Sequence, residues 1–132
     1  MANLLLFIQE EQVHGVMEKA DIGTGQTSFR GMAKPGVRIF VASKSRGELC
    51  VVGEIAVAET YVEDSHPKGW KYRARSVGGA IPYEVPVPLK DIKEKLSILR
   101  HSDNVWNAIR NCRWLTEEDA ELLSLLGSRS AR

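Results

Sequence analysis

The sequence predicts an α+β fold in which a small, twisted, mixed β-barrel of about five to six strands is surrounded by helices. Alternating apolar residues over Val37–Ala42 and again over Leu49–Val62 indicate two consecutive strands, joined by the polar hairpin Ser43–Gly47. Gly53 interrupts the long second strand, and an interior glycine is typical of the bend or bulge that closes a barrel. The last third of the chain changes to helical periodicity.

The first third of the chain predicts a strand, a helix and a loop. Leu4–Ile8 is a short, wholly apolar run, as expected of a buried strand. Glu10–Ala20 places its apolar residues on one helical face, and its two leading acids favour a helix N-terminus. Asp21–Ala33 contains three glycines among polar residues and is predicted to be a loop.

Beyond the central hairpin the pattern predicts two more strands and then helices. Trp70–Ser76 alternates aromatic or small residues with basic ones, which predicts a third strand of the barrel. Tyr83–Val87 lies among three prolines, and proline confines a strand to the edge of a sheet. The predicted helices cover Leu89–Leu99, Val105–Cys112 and a segment capped by Thr116 and ended by Gly127.

The chain length and charge indicate one domain without a strong overall field. We expect a single domain over residues 1–127 of the 132, followed by a disordered tail at residues 128–132. The 18 Lys and Arg against 17 Asp and Glu give a formal net charge of +1. Nucleic-acid binding therefore requires a local basic patch rather than the charge of the whole molecule.

The cysteines and the N-terminal apolar run bear on the cellular compartment. Cys50 and Cys112 stand far apart in apolar surroundings, which favours buried thiols over a disulfide or a zinc site. Leu4–Ile8 is too short for a signal sequence or a membrane span. We therefore expect a cytoplasmic protein that uses neither a membrane nor a metal ion or cofactor. Its oligomeric state is left open.

No catalytic signature emerges from the sequence, and no catalytic residue is assigned. A nucleophile elbow is absent, and the three histidines lack the spacing of metal ligands. The segment Gly23–Gly25 is glycine-rich but has no P-loop lysine. Glu54 lies mid-strand between apolar residues, so it is a functional candidate if it faces the interior and an ordinary surface carboxylate if it does not.

Aromatic and basic residues form the stronger constellation. Trp106, Arg110 and Arg113 fall on one helical face, off the main apolar stripe, so Trp106 packs in the core or stacks on a base. Lys71, Arg73 and Arg75 share a face of the third strand, which is either a solvated face or a phosphate-binding surface. Further cations in adjoining loops are Lys44, Arg46 and Lys68.

Over nearly all of Leu4–Leu126, the chain resembles the EVE domain family of the PUA-like superfamily, to which the YTH domains also belong. The landmarks, in order, are Leu5–Ala20, Lys34-Pro-Gly, Val52-Gly-Glu-Ile-Ala-Val, Glu59-Thr-Tyr-Val-Glu-Asp, Tyr72-Arg-Ala-Arg, Val87-Pro-Leu and Leu115-Thr-Glu-Glu-Asp-Ala-Glu-Leu-Leu. The resemblance implies a PUA-like barrel whose cleft accepts a nucleotide, and several relatives hold a flipped, modified base between aromatic walls.

Carried onto this sequence, the resemblance predicts a non-enzymatic domain that binds DNA or RNA and holds a flipped, modified or plain base. The expected base-binding pocket comprises Ile22, Gly23, Thr24, Ser43, Lys44, Ser45, Trp70, Trp106 and Asn107. The expected phosphate contacts are Lys44, Arg46, Lys71, Arg73, Arg75 and Arg110.

The sequence departs from its relatives after the first helix. Where many of them carry a tryptophan–glycine pair, this chain has Ile22-Gly23, so an aliphatic wall replaces an aromatic one and Trp70 or Trp106 has to compensate. Two alternatives stay open: a small-molecule sensor or protein-interaction module, and an enzyme acting on RNA or nucleotides through Glu54.

Overall fold

The computed structural model describes residues 2–102 and 104–130, with only the backbone described for residues 128–130. Its strands are β1 (Asn3–Phe7), β2 (Asp21–Thr24), β3 (Arg38–Ser45), β4 (Glu48–Ala56), β5 (Glu59–Val62), β6 (Tyr72–Arg75), β7 (Ala80–Pro88) and β8 (Arg113–Leu115). Its α-helices are α1 (Val13–Lys19), α2 (Thr27–Met32), α3 (Val105–Ile109) and α4 (Glu117–Ser130), and 3₁₀ helices cover Glu10–Gln12 and Leu89–Lys95.

The strands form two sheets. The larger has the order β7-β4-β3-β1-β8, in which β1 runs parallel to β3 and the other pairs are antiparallel. The smaller is antiparallel with the order β2-β6-β5. The predicted α+β class is confirmed, with eight strands in two sheets across the described residues where about five to six in one barrel were expected.

The central strands of the larger sheet, β1, β3 and β4, are buried on both faces, which explains their nearly unbroken apolar runs. In β1, Leu4 and Leu6 enter one core cluster together with α1, α2 and β2, whereas Leu5 enters the other. That second cluster packs the sheet against the C-terminal helices and contains Leu89, Leu96 and other residues of the predicted stripes. Alternation along each strand thus sends successive side chains into two different cores.

Both cysteines are buried free thiols, as the sequence predicts. Burial raises the pKa of the Cys112 thiol to about 12 and also raises the pKa of Cys50. Both side chains belong to the cluster between the larger sheet and α1. They therefore behave as small apolar groups of the core.

The predicted bend at Gly53 is present. The pairing register of β4 and β7 shifts between Val51 and Gly53, as at a β-bulge. A Cβ atom on Gly53 would lie 2.6 Å from the Met17 methyl carbon and 2.7 Å from the Ile81 carbonyl oxygen. Glycine is therefore required where α1 and β7 converge on β4.

Glu54 takes part in a polar cluster that joins four elements. Its side chain is 5% exposed and accepts hydrogen bonds from the Tyr83 hydroxyl at 2.5 Å and the Ser124 hydroxyl at 3.0 Å. Arg38 lies 3.4 Å from its other oxygen. Burial and the Glu54 carboxylate both raise the pKa of Tyr83. The cluster ties α4 to β3, β4 and β7, which is a structural role for this buried carboxylate.

Three segments differ from the prediction because their structure depends on distant partners. The predicted loop Asp21–Ala33 contains β2, which pairs with β6, and the short helix α2. The predicted strand Leu49–Val62 is divided into β4 and β5, which lie in different sheets. The unpredicted strand β8 pairs with β1.

The C-terminal helix begins as predicted but extends further. The Asp119 backbone N–H donates to the Thr116 hydroxyl at 3.1 Å, which is the predicted cap. Gly127 does not end the helix; its missing side chain makes room for the Tyr83 ring, because a Cβ atom there would lie 2.4 Å from that ring. Of the predicted tail, residues 128–130 continue the helix, and residues 131 and 132 lie outside the described residues.

No helix in the described part of the chain combines the length and the apolar composition needed to span a membrane.

The contrast between two glycines tests the role of the bulge. We expect Gly53→Ala to lower the free energy of unfolding by about 1–3 kcal/mol, because the new methyl group overpacks against Met17 and β7. Gly15→Ala is the matched control: nothing lies within 4 Å of a Cβ atom there, and alanine stabilises helix α1 by about 0.5–1 kcal/mol. Urea unfolding of both variants measures the difference, and equal stabilities would contradict the packing described.

Candidate functional site

A cleft of about 410 Å³ opens where the ends of β1 and β2 meet the turn before β6 and the helix α3. We call it the tryptophan cleft. It is lined by Phe7, Ile8, Gln9, Gln12, Gly23, Thr24, Gly25, Gln26, Lys68, Gly69, Trp70, Trp106 and Arg110. Its volume lies within the range of about 300–1,000 Å³ that is typical of ligand-binding clefts.

Glycines allow the two sides of the cleft floor to approach closely. A Cβ atom on Gly25 would lie 3.0 Å from the Gly69 carbonyl oxygen, and one on Gly23 would lie 2.9 Å from the Trp70 carbonyl oxygen. The same Gly23 Cβ would lie 2.4 Å from a guanidinium nitrogen of Arg73. The segment Gly23–Gly25 therefore serves close backbone packing, and this packing brings Trp70 to the cleft.

Both tryptophans of the cleft are supported by neighbouring rings. Trp106 is 42% exposed, and its ring makes an edge-to-face contact with Phe7 at a centroid distance of 4.8 Å. The half-buried Trp70 has the ring of His66 at 5.4 Å. His66 Nδ1 in turn accepts a hydrogen bond from the Lys68 backbone N–H at 3.1 Å. The two indoles are thus held in place while part of each surface faces the cleft.

Two glutamines connect the cleft to the elements around it. The Gln26 side chain accepts from the Cys112 backbone N–H at 2.8 Å and donates to the Arg110 carbonyl oxygen at 3.2 Å. This bridge fixes the C-terminal end of α3 against the loop after β2. Gln12 is buried and donates to the Gly23 carbonyl oxygen at 3.4 Å.

The cleft is positively charged although the protein is close to neutral. Among the described residues its lining includes two cations, Lys68 and Arg110, and no aspartate or glutamate. Lys68 makes only a long, exposed ion pair with Glu11 at 3.8 Å. Two cations without a lining acid give the cleft a local positive charge that favours an anionic ligand.

The structure brings part of the predicted site together. Of the predicted residues, those that line the tryptophan cleft are Gly23, Thr24, Trp70, Trp106 and Arg110. The cation Lys68, which the sequence places in a loop, joins them. The tryptophans are separated by more than 30 residues, so their proximity depends on the sheet pairing and cannot be derived from spacing.

The remaining predicted pocket residues lie elsewhere. Ile22 is 0% exposed and packs in the core, so it forms no wall of the cleft. The buried Ser43 hydroxyl donates to the Ile8 carbonyl oxygen at 2.9 Å.

The other predicted residues lie on the surface but outside this cleft. Asn107 is exposed and does not line it. Two residues, Ser45 and Arg46, line a separate depression beside Glu48 and β7. Lys44 borders a second cleft on the Trp106 side.

The basic residues in and just before β6 are engaged in contacts within the protein. Arg73 lies 3.1 Å from the Asp21 carboxylate and donates to the Trp70 carbonyl oxygen at 3.0 Å. Arg75 pairs with Glu59 and lies over the Tyr61 ring at 4.9 Å. The ammonium of the half-buried Lys71 lies 5.3 Å from the centre of the Tyr72 ring. The alternation of these residues in the sequence does not indicate these partners.

Tyr61 completes the cluster around Arg73. Its hydroxyl donates to the Asp21 carboxylate and lies 3.3 Å from the Arg73 Nε atom. Burial and this hydrogen bond to Asp21 raise the pKa of Tyr61. The cluster joins β2, β5 and β6 directly beneath the turn that carries Trp70, so it supports the cleft from behind.

Six residues that line the cleft were not recognised as candidates from the sequence. They are Phe7, Ile8, Gln9, Gln12, Gln26 and Gly69. Phe7 was hidden in an apolar run that predicts only a buried strand. The glutamines belong to no binding motif, and a link between Gln26 and residues 110–112 is not visible in a linear pattern.

Comparisons with known proteins identify the fold. No protein-family model and no curated protein matches the chain. Among solved structures, a hypothetical protein from Leishmania major superposes with a TM-score of 0.68 at 11% identity, covering 100% of this chain and 98% of that one. Rpa0253 from Rhodopseudomonas palustris gives a TM-score of 0.61 at 17% identity, covering 98% and 94%.

A further similar structure is human THYN1, solved in complex with DNA containing 5-methylcytosine. It superposes with a TM-score of 0.62 at 12% identity, covering 96% of this chain and 98% of that one. At these identities the likeness shows the fold alone: this chain shares the α+β fold of these proteins over nearly its whole length. Membership of the EVE family itself stays a prediction, since no family model matches.

The two arginines of β6 provide a test of the support beneath the cleft. We expect Arg73→Ala to lower the free energy of unfolding by about 2–3 kcal/mol, because it leaves the largely buried Asp21 carboxylate without its cation. The matched variant Arg75→Ala removes an exposed ion pair on the same strand and should cause a much smaller loss. Urea unfolding compares them, and equal losses would contradict the assigned roles.

Proposed function

We propose that this protein is a nucleic-acid-binding domain that holds a flipped base, plain or modified, in the tryptophan cleft. The observation that carries the proposal is the combination in one cleft of two partly exposed indoles, two cations and no described acid. Indoles offer stacking surfaces to any base, and the cations suit the phosphates on either side of it.

The shape of the cleft favours an unstacked base over a duplex. Its walls are formed by the ends of β1 and β2, the turn before β6 and the region of α3, which together enclose a concave space rather than a surface that fills a groove. A base enters such a cleft only from a single strand or after rotation out of a helix. The fold supports this reading, because the structurally similar THYN1 was solved with DNA that carries 5-methylcytosine.

We also propose that the protein binds without catalysing a reaction. Among the described residues the cleft lining includes no carboxylate, histidine or cysteine that could act as a general base or nucleophile. Its one hydroxyl side chain, Thr24, accepts a hydrogen bond from the Gln26 backbone N–H at 3.2 Å. The enzymatic alternative depended on Glu54. Its carboxylate accepts hydrogen bonds from the Tyr83 and Ser124 hydroxyls.

Two tryptophans of similar exposure test the stacking surface. We expect Trp106→Ala to weaken binding of a labelled oligonucleotide about 5- to 150-fold, because it removes one stacking partner of a base. Trp114 is 47% exposed on β8 and does not line the cleft, so Trp114→Ala should leave the affinity unchanged. Fluorescence anisotropy with single-stranded DNA and RNA, with and without 5-methylcytosine, provides the measurement.

Trp106→Phe extends this test, because phenylalanine preserves an aromatic surface and a ring against Phe7. Its affinity should lie between those of the wild type and the alanine variant. Equal effects of Trp106→Ala and Trp114→Ala, or the absence of binding to every oligonucleotide at low salt, would refute the proposed function.

The salt dependence of binding tests the phosphate contacts. For Lys68→Gln and for Arg110→Gln we expect the slope of log affinity against log salt to become less steep by about one unit each, since each removes one phosphate contact. Arg46→Gln removes an equally exposed cation outside the cleft and serves as the control. An unchanged slope in the two cleft variants, or an equal change in the control, would rule out these contacts.

A further inference from the structure

A second cleft of about 430 Å³ lies next to the tryptophan cleft. It is lined by Phe7, Gln9, Glu10, Lys44, Leu49 and Trp106. Three of these residues, Phe7, Gln9 and Trp106, also line the tryptophan cleft. They therefore form a wall between the two clefts, and Trp106 borders both.

The chemistry of the second cleft suits a flat, uncharged group. Phe7, Leu49 and Trp106 supply apolar contact surface. Glu10 disfavours an anion inside the cleft, so a phosphate group does not belong there. The exposed Lys44 stands among the lining residues, where its ammonium offers a contact to an anion outside.

The position of the wall sets the spacing of two ligand groups. Consecutive bases of a stacked strand lie about 3.4 Å apart, and insertion of one aromatic ring between them roughly doubles that spacing. A single-stranded backbone accommodates this extension at the cost of the stacking between the two bases. Contact with Trp106 on each side replaces the stacking that is lost.

We propose that the second cleft binds the base next to the flipped one, so that the protein recognises a dinucleotide step with Trp106 between its two bases. This inference rests on the proposed function, because it requires that the tryptophan cleft holds a base. Lys44 then contacts a phosphate of the same strand, while Lys68 and Arg110 contact phosphates on the other side of Trp106.

An abasic scan tests the inference. The probe is the single-stranded oligonucleotide of highest affinity for the wild-type protein, prepared with an abasic residue at each position in turn. Each abasic probe keeps all phosphates, so its affinity reports on the missing base alone. For the wild type we expect two adjacent positions at which base removal weakens binding about 5- to 150-fold.

A variant of the second cleft assigns one of these positions. Leu49→Arg places a long charged side chain in that cleft. The matched control is Leu49→Met, because methionine keeps the size and apolar character of this partly buried residue. We expect the arginine variant to lose sensitivity at one of the two positions and to keep it at the other. The methionine variant should keep both. Lys44→Glu, at an exposed position, provides a second variant that does not depend on packing and should weaken binding of the intact probe.

The outcomes separate the two proposals. Sensitivity at one position only, or at two positions that Leu49→Arg leaves unchanged, overturns the second subsite while the flipped-base function stands. The same holds if Lys44→Glu binds the intact probe like the wild type. Binding that is insensitive to base removal everywhere, or no binding at all, overturns both. Two adjacent sensitive positions, one of them abolished by Leu49→Arg, support both proposals.

Discussion

The guanidinium of Arg73 is the contact on which the candidate site depends. It joins the Asp21 carboxylate of β2, the Tyr61 hydroxyl of β5 and the Trp70 carbonyl oxygen. Because Gly23 has no side chain, this planar group fits directly beneath the cleft floor. This largely buried cation thus links the three strands of the smaller sheet to the turn that carries Trp70.

The larger sheet supplies the other half of the site through packing rather than charge. Its central strands are buried on both faces, and Phe7 at the end of β1 packs against the core on the side of the C-terminal helices. Phe7 in turn supports Trp106. Similar folds at 11–17% identity show that this scaffold tolerates extensive change in sequence. The character of the cleft therefore depends on the few side chains that this chain presents there.

Local patterns in the sequence predicted much of the fold, and the site only in part. The alternation over Val37–Ala42 was sufficient because it depends only on adjacent residues, and an interior glycine at 53 marks a bend whatever distant partners require it. β2 and β8 were missed, since short strands form only against partners far along the chain. For the same reason Ile22 was assigned to the pocket, and Arg73 was taken for a phosphate ligand although its partner Asp21 lies 52 residues away.

The bridge made by Gln26 has a consequence for how such a site diversifies. Its side-chain amide forms hydrogen bonds with main-chain atoms of residues 110 and 112, not with their side chains. A substitution of the exposed Arg110 leaves that attachment intact, so the helix bearing Trp106 keeps its place while the surface chemistry at its C-terminal end changes. Ligand preference can therefore drift during evolution by single exchanges along this helix, without a compensating change in the architecture that holds it.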